Sequence, residues 1–147
     1  MVTLEPASSS DAEALAELRA LAMRESLERA DVFDPVRART LLLRNFEARY
    51  TRHICSDASR VGFVVVRPTR FGHLLEHLCV HPDHQGRGFG SATLTLIQTE
   101  ADAQARVLVV GALRGSPSNT FYLRRGFALL EQTAMDNYYA RQPRGLL

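Results

Sequence analysis

Glycines at 86, 88 and 90 stand within Val80-His81-Pro82-Asp83-His84-Gln85-Gly86-Arg87-Gly88-Phe89-Gly90-Ser91, between an apolar run and a segment of helical periodicity. Glycine leaves backbone amides uncovered by side chains, and a helix starting here adds its own unpaired amides and the positive end of its dipole. These residues in this order make a pyrophosphate cradle; a plain chain reversal is the other use of the same glycines. Just upstream, Glu76 places a carboxylate in the otherwise apolar run from His73 to Val80, which is costly unless the group is paired or used. By the period of two, Glu76 shares a strand face with Leu78 and Val80, and His77 points the other way. Imidazole titrates near neutrality, so His77 is the second candidate for proton transfer. His73, His77, Cys79 and His81 also fall on one strand face, with His84 close by, and imidazole with thiolate is what zinc prefers. Alternate residues of a straight strand lie about 7 Å apart, too far for adjacent ligands of one ion, so no metal is expected.

Composition narrows the ligand. All 18 basic residues are Arg, so the chain cannot supply the lysine of a Walker loop. A dinucleotide fingerprint needs its glycines directly after a strand and an acid after the next one. Here five residues follow Val80 before the first glycine, Ser91 takes the third glycine's place, and the later strand ends in Gly111-Ala112-Leu113-Arg114. Residues 1–60 carry 9 Arg against 10 acids and residues 61–147 carry 9 Arg against 6, giving −1 and +3 and the overall +2. Scattered Arg with few neighbouring aromatics is a poor nucleic-acid footprint, whereas a modest anion site in the second part fits the charge. No apolar run reaches a membrane span and the N-terminus lacks a signal-peptide layout. With only Cys55 and Cys79, a cytoplasmic location without a disulfide framework is expected, and no membrane partner.

Several elements must position the loop. Ser10-Asp11-Ala12-Glu13 fits a capping box opening a helix over 11–29, with Leu15, Leu18, Leu21 and Ala22 on its apolar side. Asp34-Pro35 starts a second helix, whose stripe of Leu42, Phe46 and Tyr50 carries it to about 50. Strands are expected over 53–55 and 61–66 around a turn, then a central strand over 73–80. A helix over 91–104 and a buried strand over 107–110 complete a crossover unit. Ser116-Pro117 opens a short helix that Gly126 ends as a left-handed residue, and 127–130 with Tyr138-Tyr139 read as final strands before a loose tail over 142–147. At 147 residues this is one domain with room for a sizeable core.

Two separated segments carry a resemblance. Val80, Pro82, Gln85, Gly88 and Gly90 match V-x-P-x-x-[QR]-x-x-G-x-[GA], and Phe121-Tyr122-Leu123-Arg124-Arg125-Gly126-Phe127 matches F-Y-x-x-x-G-F. With two helices first and a hairpin last, the whole chain resembles the GNAT superfamily of acyl-CoA-dependent N-acetyltransferases, as a small single-domain member. The resemblance implies an α/β fold of α+β type. A mixed, mostly antiparallel sheet of six to seven strands is flanked by about four helices, and two parallel strands splay apart.

It also implies roles. Acetyl-CoA is the co-substrate: backbone groups of Leu78, Cys79 and Val80 pair with the pantetheine arm, and the amides of Gln85, Gly86, Arg87, Gly88, Phe89, Gly90 and Ser91 hold the pyrophosphate. Arg87, and less directly Arg124 and Arg125, stand near the other phosphates. Tyr122 is the expected proton donor to the leaving thiolate and a cofactor contact. The family opens the short helix with Asn and a small residue. Here Ser116-Pro117-Ser118 precedes Asn119, so either Asn119 or Ser116 makes that contact. The acceptor is a primary amine of a small molecule or peptide, and its ammonium must lose a proton before attack, which calls for Glu76 or, failing it, His77. Met23, Phe33, Tyr138 and Tyr139 are expected to line the acceptor side. Cys79 makes a covalent route conceivable, and the protein is expected to be a monomer or homodimer. A non-catalytic acyl-CoA-binding module is the rival reading.

Overall fold

The computed structural model describes residues 1–31 and 34–145, so Phe33 lies outside the described residues. Its strands are β1 (Val2–Pro6), β2 (Thr51–Ser56), β3 (Ser59–Pro68), β4 (Gly72–Val80), β5 (Val107–Leu113), β6 (Ala128–Gln132) and β7 (Asp136–Arg141). Its helices are α1 (Ala12–Arg29), α2 (Pro35–Asn45), α3 (Phe89–Ala103) and α4 (Ser118–Leu123). The seven strands form one mixed sheet in the order β1-β2-β3-β4-β5-β7-β6, mostly antiparallel, with β4 and β5 its one parallel pair. β4 is the middle strand, as its apolar run requires. Among the described residues no helix is long and apolar enough to cross a membrane.

The chain divides into two compact units, Met1–Val65 with His77–Leu94, and Val66–Glu76 with Thr95–Leu147. The first unit centres on a core of Leu15, Ala16, Leu42, Phe63, Val65 and Cys79, against which Leu18, Ala22, Phe46 and Tyr50 pack. Each fully buried leucine or phenylalanine there contributes about 1.5–3 kcal/mol. The stripe of Leu42, Phe46 and Tyr50 is real but not one helix: α2 stops at Asn45, and Ala48–Tyr50 is a separate 3₁₀ turn. Asp34 caps α2 as expected, accepting from the Arg37 amide at 3.1 Å with Pro35 next to it. Leu21 is 47% exposed, so the apolar side of α1 is narrower than its periodicity implies.

Two further expectations are corrected. The capping box sits at Ser8 and Asp11, whose carboxylate takes the Ser8 amide at 2.8 Å, two residues ahead of the Ser10–Glu13 reading. The same carboxylate holds His53 Nε2 at 2.9 Å; the Ser8 amide and then His53 draw its pKa down to about 2. Asp11 therefore serves Ser8 and His53 together, while Glu13 pairs with Arg39. β1 was not expected at all. Five residues of mixed polarity give too little alternation to read, and they become a strand by pairing antiparallel with β2.

In the second unit α3 ends in a Schellman motif. The Arg106 amide reaches the Ala101 carbonyl at 2.8 Å and the Ala105 amide that of Asp102 at 3.1 Å, with Ala105 at φ +54°. Left-handed alanine costs about 1–2 kcal/mol, and glycine returns about 0.4–1 kcal/mol of that as unfolded-state entropy. Ala105→Gly is therefore expected to stabilise the protein by about 0.5–1 kcal/mol and raise the melting temperature by about 1–4 °C. An unchanged or lower midpoint in a thermal melt would refute this. The tail is not loose from 142: the Arg144 amide donates to Asp102 at 2.9 Å.

Candidate functional site

The first unit carries the glycine loop. After β4, Pro82–His84 form a 3₁₀ turn that His81 caps by accepting the Asp83 amide on Nδ1 at 3.0 Å. Gln85 folds back so that its Nε2 donates to the Val80 carbonyl at 2.9 Å, fixing the loop to the end of the strand. Gly86 and Gly88 sit at φ +76° and +84°, a region that side chains rarely adopt. A Cβ on either would meet nothing within 4 Å, so backbone conformation rather than crowding requires these glycines. Phe89, Gly90 and Ser91 then form the first turn of α3, where helix amides have no intrahelical partner. Gln85, Gly86, Arg87 and Gly88 are exposed. The Arg87 guanidinium lies over the Phe89 ring at 5.2 Å and beside His84 Nδ1 at 3.4 Å, which places a fixed cation on the loop.

The same unit holds Leu78, Cys79 and Val80 at the end of β4, with Leu78 and Val80 half-buried. β3 approaches closely: a Cβ at Gly62 would stand 2.1 Å from the Cys79 carbonyl oxygen. The Cys79 side chain is in the core, and burial pushes its thiol up to about 12, so it is held as a neutral, packed thiol. The His77 ring tilts against Phe63, centroids 6.1 Å apart. Among the described residues no three His, Cys, Asp or Glu side chains gather into a metal-binding group.

The second unit carries Glu76, Asn119 and Tyr122. Glu76 is ion-paired with Arg67 on β3, which answers the cost of a carboxylate in an apolar strand. His73 is held below its usual pKa by burial first and by the Arg106 charge second. Tyr122 is buried at 6% exposure, with its ring edge-on to Phe121 and Phe127 and tilted against Tyr139. Gly126 at φ +88° ends this segment as expected, and the Phe127 amide reaches back to the Tyr122 carbonyl at 3.3 Å. Arg125 lies over the Phe121 ring at 3.9 Å and donates to its carbonyl, a packed position rather than an extended one.

Asn119 is engaged on every side. Its Nδ2 donates to the Leu113 and Ser116 carbonyls, each at 2.9 Å, and its Oδ1 accepts from Asn137 Nδ2 at 2.8 Å and the Tyr139 hydroxyl at 2.7 Å. Two donors and two lone pairs are an amide's full capacity. Asn119 therefore ties α4 to β5 and β7. Tyr139, expected on the acceptor side, is instead buried with its hydroxyl in this network. Met23 and Tyr138 remain half-buried. Arg67, Asn137 and Asp136 were passed over in the sequence.

A model of the acetyltransferase (GNAT) domain matches residues 49–129. No curated protein matches the chain. Among solved structures, the chain is similar to the PaiA N-acetyltransferase of Thermoplasma acidophilum in complex with coenzyme A, with a TM-score of 0.78 at 12% identity over 97% of this chain and 99% of that one. An acetyltransferase of Thermus thermophilus gives 0.75 at 19% identity over 97% of both chains. The ribosomal-protein-S18-alanine N-acetyltransferase of Escherichia coli gives 0.74 at 17% identity over 100% of this chain and 96% of that one. These likenesses are of fold, and the matched domain spans both the glycine loop and the Phe121–Phe127 segment: the chain belongs to the GNAT acetyltransferase family.

Proposed function

We propose that the protein transfers an acetyl group from acetyl-CoA to a primary amine by direct attack. The observation that carries this reading is the loop from Gln85 to Ser91, where a glutamine pinned to the strand end precedes a run of exposed backbone with two left-handed glycines that leads into the first turn of α3. Such a run suits a pyrophosphate, and the Arg87 cation adds to it. Leu78, Cys79 and Val80 offer main-chain groups to the pantetheine arm.

An alkylammonium has a pKa of about 10.4, so a base must remove a proton before nitrogen attacks the thioester carbon. Glu76 is that base in this reading and His77 its alternative. The C–N bond forms, the tetrahedral oxyanion is held by amide donors, the C–S bond breaks, and Tyr122 protonates the leaving thiolate. The neutral, core-packed Cys79 thiol favours direct transfer over an acyl-enzyme.

Acetyl-CoA is expected to raise the melting temperature, and thiol is expected to appear when a panel of primary amines is added. Stabilisation without thiol release from any amine would leave a CoA-binding module, and no stabilisation at millimolar CoA would refute both readings. The base has its own test. Glu76→Gln is expected to flatten the acidic limb of the pH–rate profile, and a variant keeping the parental profile would move the role to His77 or water.

A further inference from the structure

The two faces of β7 have different employment. Asn137 and Tyr139 bond to Asn119 of α4, and Arg141 to Asp102 of α3, so the odd-numbered side chains all meet helices. Alternation puts Asp136, Tyr138 and Ala140 on the opposite face. Gly111 is the register partner of Tyr138, and a Cβ there would stand 2.9 Å from the tyrosine Cε1. The glycine thus lets the ring lie across β5. Two residues earlier, in register with Leu113 at the C-terminal end of β5, the Asp136 carboxylate is half-buried and has no hydrogen-bond or ion-pair partner among the described residues.

Its backbone, by contrast, is clamped. The Asp136 amide donates to Thr133 Oγ1 at 3.0 Å, and its carbonyl accepts the Thr133 amide at 2.8 Å. The neighbouring cation is used elsewhere, since the Arg114 guanidinium donates to the Thr133 carbonyl at 3.2 Å. A positioned, half-buried and unpaired carboxylate costs the fold stability, and burial accordingly lifts its pKa above the usual range. A carboxylate with an aromatic ring two residues along the same strand face suits an organic cation, by charge and by the ring's negative face.

We propose that Asp136 and the Tyr138 ring form a subsite for an alkylammonium group of the acceptor, which makes the acceptor a cationic amine. This rests on the reading of the protein as an amine acetyltransferase. The probe is n-butylammonium chloride, with n-butanol as its neutral counterpart, titrated into the full chain at low and high salt. Wild type is expected to show saturable stabilisation by the cation alone, weakened by salt. Asp136→Asn is expected to melt higher than wild type without ligand and to lose the response, and Tyr138→Leu to weaken it about threefold. A wild type that responds equally to butanol and butylammonium, or an Asp136→Asn protein that keeps the wild-type response, would overturn the subsite.

Thiol release from acetyl-CoA with butylamine is read in parallel. Release without a cation response overturns the subsite alone. A cation response lost in Asp136→Asn, with no thiol release from any amine, supports the subsite and overturns acetyl transfer.

Discussion

Tyr122→Phe is expected to lower turnover about 100-fold at saturating acetyl-CoA and acceptor, a loss of about 2.7 kcal/mol of transition-state stabilisation. The substitution removes one oxygen and keeps the ring. That ring packs edge-on against Phe121 and Phe127 and tilted against Tyr139, so the fold should be retained and melting should confirm it. Because proton donation matters only as the C–S bond breaks, the loss belongs to kcat and not to the KM for acetyl-CoA. A Phe variant with parental turnover, or one whose whole deficit is in KM, would remove Tyr122 from the role of acid. Activity of the variant toward thioesters with more acidic leaving thiols should be partly restored, which a packing defect would not produce.

Asp102→Ala is expected to cost about 3 kcal/mol of stability, lowering the melting temperature by about 6–12 °C. Arg141 is only 5% exposed, and Asp102 holds both its terminal nitrogens, at 2.8 and 3.1 Å. Removing the carboxylate strands a buried guanidinium and also frees the Arg144 amide. The carboxylate's own side chain is 21% exposed, which keeps the figure at the lower end for a buried pair.

Its pH dependence has a definite sign. The Arg141 hydrogen bonds, then the Arg144 amide, hold the Asp102 pKa at about 2, below its ordinary 3.8. A lowered folded pKa gives stability that is present above the unfolded value and lost as pH falls through the folded one. The gap in melting temperature between wild type and Asp102→Ala should be constant above about pH 5 and narrow toward pH 2. Asp11 titrates over the same range in both proteins, so the comparison removes it. A gap that does not change with pH would mean that packing around Arg141, not the ion pair, sets the effect.

The two expectations rest on residues of different legibility. The segment that carries Tyr122 is legible because its motif is local: Phe121 to Phe127 is seven consecutive residues, and Gly126 advertises its left-handed backbone by being glycine. The loop from Gln85 to Gly90 is legible for the same reason, and so is β4, whose apolar run with few polar interruptions marks a middle strand. Nothing near Asp102 announced Arg141, which lies 39 residues away and reaches it only because β7 pairs with β5. The place of Asn119 before Tyr122 makes it, with Ser116 as the alternative, a cofactor contact in the sequence. Its two lone pairs are taken by residues 18 and 20 positions later.

The sequence alone therefore determined where the glycine loop lies, which family the chain resembles and which strand is central. Backbone conformation and apolar periodicity are properties of neighbouring residues, and neighbours are what a sequence displays. The tertiary structure decided which polar side chains are occupied and which are left over. Arg67 pairs with Glu76, the core keeps the Cys79 thiol neutral, Asn119 is saturated, and the Asp136 carboxylate has no partner among the described residues. Side-chain pairing depends on register between strands remote in the chain, and a polar group's chemistry depends on whether that register brings it a partner.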